Sequence, residues 1–305
     1  MRSWRSRIVL LAFLALSTAG SLLGCSTLDE HERRWIFRPT HTTFASAVQA
    51  AQGMDDVWVS FDSQATGRPA RLHGLWLAQE REDAPVLLYL HGARWDVRGS
   101  AARIRRMHDL GFSVLAIDYR GFGLSGDELP SERTAAEDAM AAWQWLGHEH
   151  PGAARYIFGH SLGGAIAIGL ASRVGSEPAG VMVEGTFTSI SDVVDSFEWG
   201  WLPVNGLITQ RFDSLSKVGE VRAPLLVVHG SADSLIPWSL GRQLYERAAT
   251  RKQWVLVDGG NHHTTNQLGM PQYRAALHSL FGLSDVPADT DEPAMSAGRK
   301  AAPVL

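Results

Sequence analysis

The fold is decided by the stretch Tyr156-Ile157-Phe158-Gly159-His160-Ser161-Leu162-Gly163-Gly164-Ala165-Ile166-Ala167-Ile168. A short apolar run leads into a Gly-x-Ser-x-Gly element, and a longer run of apolar and small residues follows it. This pattern predicts a strand, a sharp turn and a helix, with Ser161 at the apex of the turn. Glycines two residues before and after the serine leave room where a Cβ would collide with the neighbouring strand or helix. We therefore expect an exposed serine hydroxyl, although a glycine-rich connection with a capping serine shows the same local pattern.

Length and composition indicate one large domain with additional segments at both ends. The chain has 305 residues, of which 45% are apolar and 20% are charged, which is typical of a globular protein. Its net charge is −4, and acidic and basic residues are mixed along the sequence without a long basic run. Because nucleic-acid binding requires a concentrated basic surface, we expect no nucleic-acid partner.

Apolar runs of strand length alternate with segments of helix length. The first two runs, 57–61 and 71–77, alternate polar and apolar residues and predict an antiparallel hairpin. The later runs are continuously apolar, as in strands buried on both faces of a parallel sheet, and cover 86–90, 113–117, 155–158, 180–183, 225–228 and 254–257. The predicted helices cover 100–110, 131–146, 162–174 and 239–248. The order predicts an α/β fold with a mostly parallel, doubly wound sheet.

Outside the alternating region we predict three further segments. Residues 1–24 form a signal peptide, residues 25–55 an N-terminal linker or arm, and residues 283–305 a disordered tail rich in proline, alanine and acidic residues. The domain between them spans residues 56–282. An insertion at about 187–221 is too long and too aromatic for a simple connection, so it is either a short cap over a site or a cover for a sheet edge.

The N-terminus has the pattern of an export signal. Arg2, Arg5 and Arg7 precede the apolar run 8–16, which is too short to span a membrane, and small residues lead to Cys25. This ending resembles a bacterial lipobox, and Cys25 is the only cysteine in the chain. The resemblance implies lipidation of Cys25 and anchoring in the bacterial cell envelope. Serine rather than aspartate follows the cysteine, which favours the outer membrane, facing the periplasm.

Partners for the Ser161 hydroxyl follow two later strands. A serine nucleophile requires a base, and the base requires an acid that holds its tautomer. Asp233 follows the run 225–228 in the segment His-Gly-Ser-Ala-Asp, and His262 follows the run 254–257. The carboxyl ends of parallel strands meet at one edge of a sheet, so we expect these side chains to converge on Ser161.

With these motifs in this order, the chain resembles the α/β-hydrolase superfamily, in its serine aminopeptidase-like branch. The resemblance extends over about residues 57–280 and includes His91-Gly92, the segment 118–125, the serine turn, and the segments that end in Asp233 and His262. It implies an α/β-hydrolase fold with a leading antiparallel hairpin and a short cap insertion.

The resemblance also implies roles for individual residues. Ser161 is the nucleophile, His262 the base and Asp233 the orienting acid, while the backbone amides of Ala93 and Leu162 form the oxyanion hole. Three alternatives stay open at this point: His263 as the base, and Glu184 or Asp192 as the acid. No cofactor or metal is implied.

Several other polar residues have a structural interpretation. His91, His160 and His229 do not have the spacing of zinc ligands, so we interpret them as structural. Asp118 and Arg120 are interpreted as a pair that braces a loop. A third group, Arg94, Trp95 and Arg98, either shapes the substrate pocket or belongs to a basic surface loop.

The predicted function is a membrane-anchored serine hydrolase that cleaves carboxylic esters or thioesters through an acyl-enzyme. The expected substrates are small acyl esters or lipid-like esters. An aminopeptidase is the alternative within the same class, and it requires a carboxylate for the substrate amine, for which Glu184 and Glu198 are candidates. A catalytically silent binding module of the envelope is the alternative outside enzymes.

Overall fold

The core of the molecule is one sheet of eight strands, seen in a computed structural model that describes residues 27–197 and 205–283. The order across the sheet is β1-β2-β4-β3-β5-β6-β7-β8. The strands are β1 (Asp55–Asp62), β2 (Pro69–Leu77), β3 (Val86–Leu90), β4 (Ser113–Ile117), β5 (Arg155–His160), β6 (Gly180–Glu184), β7 (Leu225–Gly230) and β8 (Lys252–Val257). Strand β1 pairs antiparallel with β2, and β2 pairs antiparallel with β4. All later pairs are parallel, so the predicted fold class is confirmed.

Helices cover both faces of the sheet. They are α1 (described over 27–37), α2 (Ala45–Ala50), α3 (Ala101–Asp109), α4 (Glu132–Glu149), α5 (Leu162–Val174), α6 (Ile190–Asp195), α7 (Ser214–Val218), α8 (Trp238–Arg247), α9 (Thr265–Leu268) and α10 (Met270–Phe281). Apolar side chains of α4, α5, α7 and α8 belong to one buried cluster, and those of α3 and α10 belong to a second. The sheet separates the two clusters.

Strand β3 shows how the sequence produces this arrangement. Val86, Leu88 and Leu90 face the first cluster, whereas Leu87 and Tyr89 face the second. Because successive side chains of a strand point to opposite faces, a strand with helices on both sides must be apolar throughout. All five residues of β3 are buried, and the same holds for β4 and β6.

Strand β8 departs from the expectation of burial on both faces. It lies at the edge of the sheet, where Leu256 is exposed and Trp254 is half-buried. The apolar run thus predicted the strand correctly. Because β8 lies at the edge of the sheet, one neighbouring strand fewer is present to cover its side chains.

The N-terminal arm packs against the domain. Ile36 and Phe37 are buried, while Trp35 is half exposed. The ring of Phe37 contacts that of Phe212 edge to face at 5.7 Å. The carboxylate of Glu32 accepts hydrogen bonds from the amides at positions 209 and 210 at 2.9 and 3.0 Å, so the arm is fastened to the second half of the insertion.

The insertion at 187–221 is described in part. It contains α6, a short 3-10 helix at Asn205–Leu207, and α7. Trp199 and Trp201, on which the prediction of a cap relied, lie outside the described residues, as do Cys25, the predicted signal peptide and positions 284–305. None of the helices within 27–197 and 205–283 has both the length and the hydropathy to cross a bilayer.

Candidate active site

Ser161 occupies a strained turn between β5 and α5. Its backbone has φ 56° and ψ −124°, a conformation that residues other than glycine rarely adopt. The surrounding glycines make the turn possible. A Cβ at Gly163 would lie 2.5 Å from the carbonyl oxygen of His91 and even closer to that of Leu90. Helix α5 therefore packs closely against the end of β3. This close approach forces Ser161 outward from the sheet edge.

Ser161, His262 and Asp233 form a continuous chain of hydrogen bonds. The Nε2 atom of His262 lies 3.0 Å from Oγ of Ser161, and its Nδ1 lies 2.8 Å from Oδ2 of Asp233. A carboxylate can only accept, so Nδ1 carries the proton and Nε2 is free to accept the serine proton. The three residues follow the parallel strands β5, β7 and β8. Strands β7 and β8 are adjacent, and β6 lies between β5 and β7.

Asp233 is held in its ionised form. Burial opposes ionisation, but hydrogen bonding by His229 and His262 outweighs it and lowers the pKa of the Asp233 carboxyl below its usual range. The second carboxylate oxygen accepts the backbone amides of Leu235 and Ile236 at 3.0 and 2.9 Å. The carboxylate is thereby fixed in position and charge opposite the His262 ring.

His160 supports the base from the other side. Its Nε2 donates to the carbonyl oxygen of His262 at 3.0 Å, and the two rings lie 4.9 Å apart. Burial, followed by the nearby charges of Arg103 and His262, keeps the pKa of His160 well below its ordinary value. A neutral ring at this position fixes the His262 backbone without placing a second positive charge beside the imidazolium that would form if His262 accepted a proton. From the sequence alone, His160 was interpreted only as structural.

The other candidates for base and acid lie elsewhere. His263 is exposed at the rim of the cavity beside Ser161. Glu184 is fully buried and is bound by Nε of Arg103 at 3.1 Å and the hydroxyl of Tyr273 at 2.6 Å. Asp192 accepts a hydrogen bond from Ser189 at the start of α6. The structure thus brings Asp233 and His262 to Ser161 and does not bring these three.

The two predicted oxyanion amides flank Ser161. Leu162 is the first residue of α5, and the first amides of a helix have no partner within it. The amide of Ala93 donates no hydrogen bond to any residue within 27–197 or 205–283. The intervening Gly92 lies against the serine, since a Cβ on it would be 3.1 Å from Cβ of Ser161. Both amides are available beside Ser161.

The loop that carries Ala93 is anchored at several points. The amide of Arg94 donates to the carbonyl of Phe37 at 2.8 Å, and the amide of Val97 donates to the carboxylate of Asp118 at 2.6 Å. Arg94 and Trp95 both have positive φ, of 67° and 47°. Two strained residues in succession persist only where the surroundings hold them, and such strain concentrates at functional sites. The N-terminal arm is therefore part of what shapes this loop.

Asp118 and Arg120 do not pair with each other, contrary to the interpretation from sequence. Asp118 binds the loop at Val97 and the ring of His73, whereas Arg120 binds Asp138 at 2.8 Å and Glu137 at 2.6 Å. Both residues lie beyond the end of β4, where the chain has left the strand conformation, so residues two apart need not share a face. Both residues still brace loops around the site.

His73 extends this bracing to a buried network that responds to pH. Its Nδ1 lies 3.1 Å from Asp118 and its Nε2 lies 2.7 Å from Asp56. Burial lowers the pKa of His73, but hydrogen bonding to Asp118 and Asp56 outweighs it, and the net pKa is raised. A raised pKa means that the folded state favours the protonated ring. The stabilisation is complete below the unfolded value of about 6.5 and is lost as pH rises through the folded value.

We expect His73→Gln to lower the free energy of unfolding by about 2 kcal/mol or more near pH 5.5 and by less near pH 8.5. Urea unfolding of both proteins at the two pH values measures the difference. His148→Gln is the matched control, because the His148 side chain is 86% exposed. A cost that does not change with pH would show that folding does not raise the pKa of His73.

A cavity of about 390 Å³ opens beside Ser161. It is lined by the loop of Ala93, by the start of α3, and by the ends of the loops that carry His262 and Leu235. Arg94, Arg103 and Arg106 belong to this lining, and no acidic side chain from the described residues does. Within the same ranges, no three histidine, cysteine, aspartate or glutamate side chains are arranged to hold a metal ion.

Comparison with known proteins identifies the family of this chain. The family model described as serine aminopeptidase, S33, matches residues 81–214. An uncharacterized protein of Mycobacterium tuberculosis is 33% identical over 255 residues, which cover 83% of this chain and 86% of the relative. The chain belongs to the serine aminopeptidase S33 family of α/β-hydrolases. The resemblance seen in the sequence motifs is thereby confirmed.

Other similar proteins are named for an activity. The lysophosphatidylserine lipase ABHD12 of Danio rerio is 32% identical over a match that covers 59% of this chain and 54% of the relative. The hydrolase thus spans about half the length of that protein. Among solved structures, the Pyrococcus furiosus esterase Pf2001 superposes with a TM-score of 0.62 at 19% identity, covering 79% of this chain and 96% of that one. Est1E from Butyrivibrio proteoclasticus gives 0.60 at 17% identity, covering 70% and 97%. These two structures establish the shared fold.

Proposed function

We propose that this α/β-hydrolase is a serine hydrolase that cleaves carboxylic esters or thioesters through an acyl-enzyme. The observation that carries the proposal is the chain from Ser161 Oγ to His262 Nε2 at 3.0 Å and from His262 Nδ1 to Asp233 at 2.8 Å. A nucleophile, a base and an orienting acid in this geometry make up the apparatus of acyl transfer.

In the first half-reaction, Oγ of Ser161 attacks the carbonyl carbon of the ester while Nε2 of His262 accepts the serine proton. The resulting oxyanion lies between the amides of Ala93 and Leu162, whose donors stabilise its charge. The tetrahedral intermediate then collapses, and His262 gives the proton to the departing oxygen or sulfur. Water, deprotonated by the same ring, attacks the acyl-enzyme and regenerates Ser161. Ionised Asp233 stabilises the imidazolium in both halves.

The cavity favours esters over peptides with a free amino terminus. An aminopeptidase requires a carboxylate for the substrate ammonium group, and Glu184 is occupied by Arg103 and Tyr273. Glu198, the second candidate, lies outside the described residues. Three arginines line the cavity and would repel an ammonium group. The similarity to the lysophosphatidylserine lipase of Danio rerio and the fold shared with the Pyrococcus furiosus esterase further support small acyl esters or lipid-like esters as substrates.

Fluorophosphonate labelling and a substrate series test the proposal. Protein lacking residues 1–24 is expected to form one covalent adduct, which mass spectrometry locates on Ser161. It is also expected to hydrolyse p-nitrophenyl esters between acetate and palmitate in preference to aminoacyl p-nitroanilides. Preferred cleavage of the anilides would favour the aminopeptidase. Neither labelling nor turnover would favour a catalytically silent binding module.

We further propose that Cys25 is lipidated and holds the enzyme in a bacterial cell envelope, at the outer membrane facing the periplasm. The support is the sequence before Cys25, where arginines, a short apolar run and small residues lead to the only cysteine of the chain. When the full-length wild-type chain is expressed in a bacterium, it is expected to incorporate labelled palmitate and to sediment with outer membranes. Cys25→Ala is expected to lose both properties. Palmitate incorporation that persists in this variant would contradict the assignment.

A further inference from the structure

The cavity beside Ser161 carries positive charge that the described residues neutralise only in part. Arg103 is compensated by the buried carboxylate of Glu184 at 3.1 Å. Arg106 binds only the neutral amide of Asn266, at 2.6 Å, and burial followed by repulsion from Arg103 lowers its pKa. The cavity therefore has a positive field that favours an anion.

Arg94 is the most available of these charges. Its side chain is exposed at the cavity wall, and its guanidinium has neither an ion pair nor a hydrogen bond to another residue of the described ranges. Its backbone, in contrast, is fixed, because φ is 67° and the amide is bound to Phe37 at 2.8 Å. A cation on an anchored and strained loop is presented at a defined place without a partner that an incoming anion would have to displace.

Arg94 lines the same cavity as His262 and His263. The ring of Trp95 is 6.3 Å from that of His263, and burial followed by the charges of His262, Arg103 and Arg94 lowers the pKa of His263. His263 directly follows the base. In the proposed mechanism, His262 gives its proton to the departing oxygen. The alcohol portion of an ester therefore occupies the space near the His262 ring.

We propose that the enzyme prefers esters whose leaving alcohol carries an anionic group, a phosphate or a carboxylate, and that Arg94 binds this group. The proposal rests on the proposed function, because it assigns the substrate class of the same site. The guanidinium offers paired donors to either anion, and the field of Arg106 adds to the attraction. The proposed preference concerns only the charge of the leaving alcohol and not that of the acyl portion.

Three soluble esters test the proposal. Hexanoyl esters of glycerol, glyceric acid and glycerol 3-phosphate share their acyl chain and differ in the charge of the alcohol. We expect the wild type to have kcat/KM values about tenfold higher for one or both anionic esters than for the glycerol ester at low salt. The two anionic esters show whether carboxylate or phosphate is preferred. In 0.5 M NaCl the preference is expected to shrink, because salt screens exposed charges.

Substitutions at position 94 identify the residue responsible. Arg94→Gln is expected to bring the ratio of anionic to neutral kcat/KM close to one, and Arg94→Lys is expected to retain part of it. Arg222→Gln is the matched control. It removes the same charge from an exposed position before β7, at the sheet edge opposite Ser161, and is expected to keep the wild-type ratio.

The outcomes separate this inference from the proposed function. Wild-type hydrolysis of all three esters at equal kcat/KM would overturn the inference and leave the serine hydrolase intact. A fall in Arg94→Gln that is equal for all three esters would also overturn it, because Arg94 would then only shape the loop. Failure of the wild type to hydrolyse any ester or to react with a fluorophosphonate would overturn the proposed function itself.

Discussion

Ser161→Ala is expected to abolish fluorophosphonate labelling and to lower kcat/KM for a p-nitrophenyl ester by about 10⁴-fold or more. The variant lacks the only atom that can form the acyl-enzyme in the proposed mechanism, while His262 and Asp233 keep their places. Residual turnover would come from the oxyanion donors and from binding alone. Steady-state kinetics and mass spectrometry after labelling measure the two effects.

Two further variants make this result interpretable. Ser172→Ala removes a hydroxyl from the same helix that follows Ser161, where Oγ binds only the carbonyl of Gly169 at 3.1 Å, and it is expected to retain wild-type kinetics. Asp233→Asn is expected to lower kcat/KM by about 10⁴-fold, because an amide would favour the wrong tautomer of His262. An active Ser161→Ala protein with the wild-type circular dichroism spectrum would refute the assigned nucleophile.

Gly163→Ala is expected to destabilise the protein by more than about 3 kcal/mol, or to prevent folding. The added methyl group would overlap the carbonyl oxygens of Leu90 and His91, which belong to the end of β3 and the loop after it. Backbone in the centre of the sheet cannot move aside as a flexible side chain can. The midpoint of urea unfolding, or the yield of soluble protein, measures the effect.

The same substitution six residues later is expected to act in the opposite direction. A Cβ at Gly169, also within α5, would approach only Cδ of Lys217 at 4.0 Å. Alanine favours the helical conformation over glycine, so Gly169→Ala is expected to raise the free energy of unfolding by up to about 1 kcal/mol. If Gly163→Ala did not lower the free energy of unfolding relative to Gly169→Ala, the close approach of α5 to β3 would be wrong.

The fold could be predicted largely from the sequence because its signals are local. Continuous apolar runs identified the parallel strands, since a strand covered on both faces has no place for a polar side chain. The serine turn was equally clear, because its glycines are required by contacts within a few residues of Ser161. The edge position of β8 was missed, since a run of apolar residues does not reveal how many neighbours a strand has.

The candidate site was predicted as a set of alternatives. Asp233 and His262 were named from the strand ends they follow, but Glu184, Asp192 and His263 follow the same kind of signal. The separate roles of Asp118 and Arg120, and the support that His160 gives to His262, were not recognised from sequence.

By itself, then, the sequence determined the order of strands and helices, the turn at Ser161, and the short set of groups able to serve it, because each depends on neighbours along the chain. Only the tertiary structure decided which groups meet. Ser161 and His262 are joined across 101 positions by one hydrogen bond, and the carboxylate that completes the chain comes from a third loop. Such contacts depend on which strands lie side by side and on the direction each side chain takes at the strand end. The packing of the whole sheet fixes both, and so it also fixes which arginine, among the residues that the structure describes, lies unpaired beside Ser161.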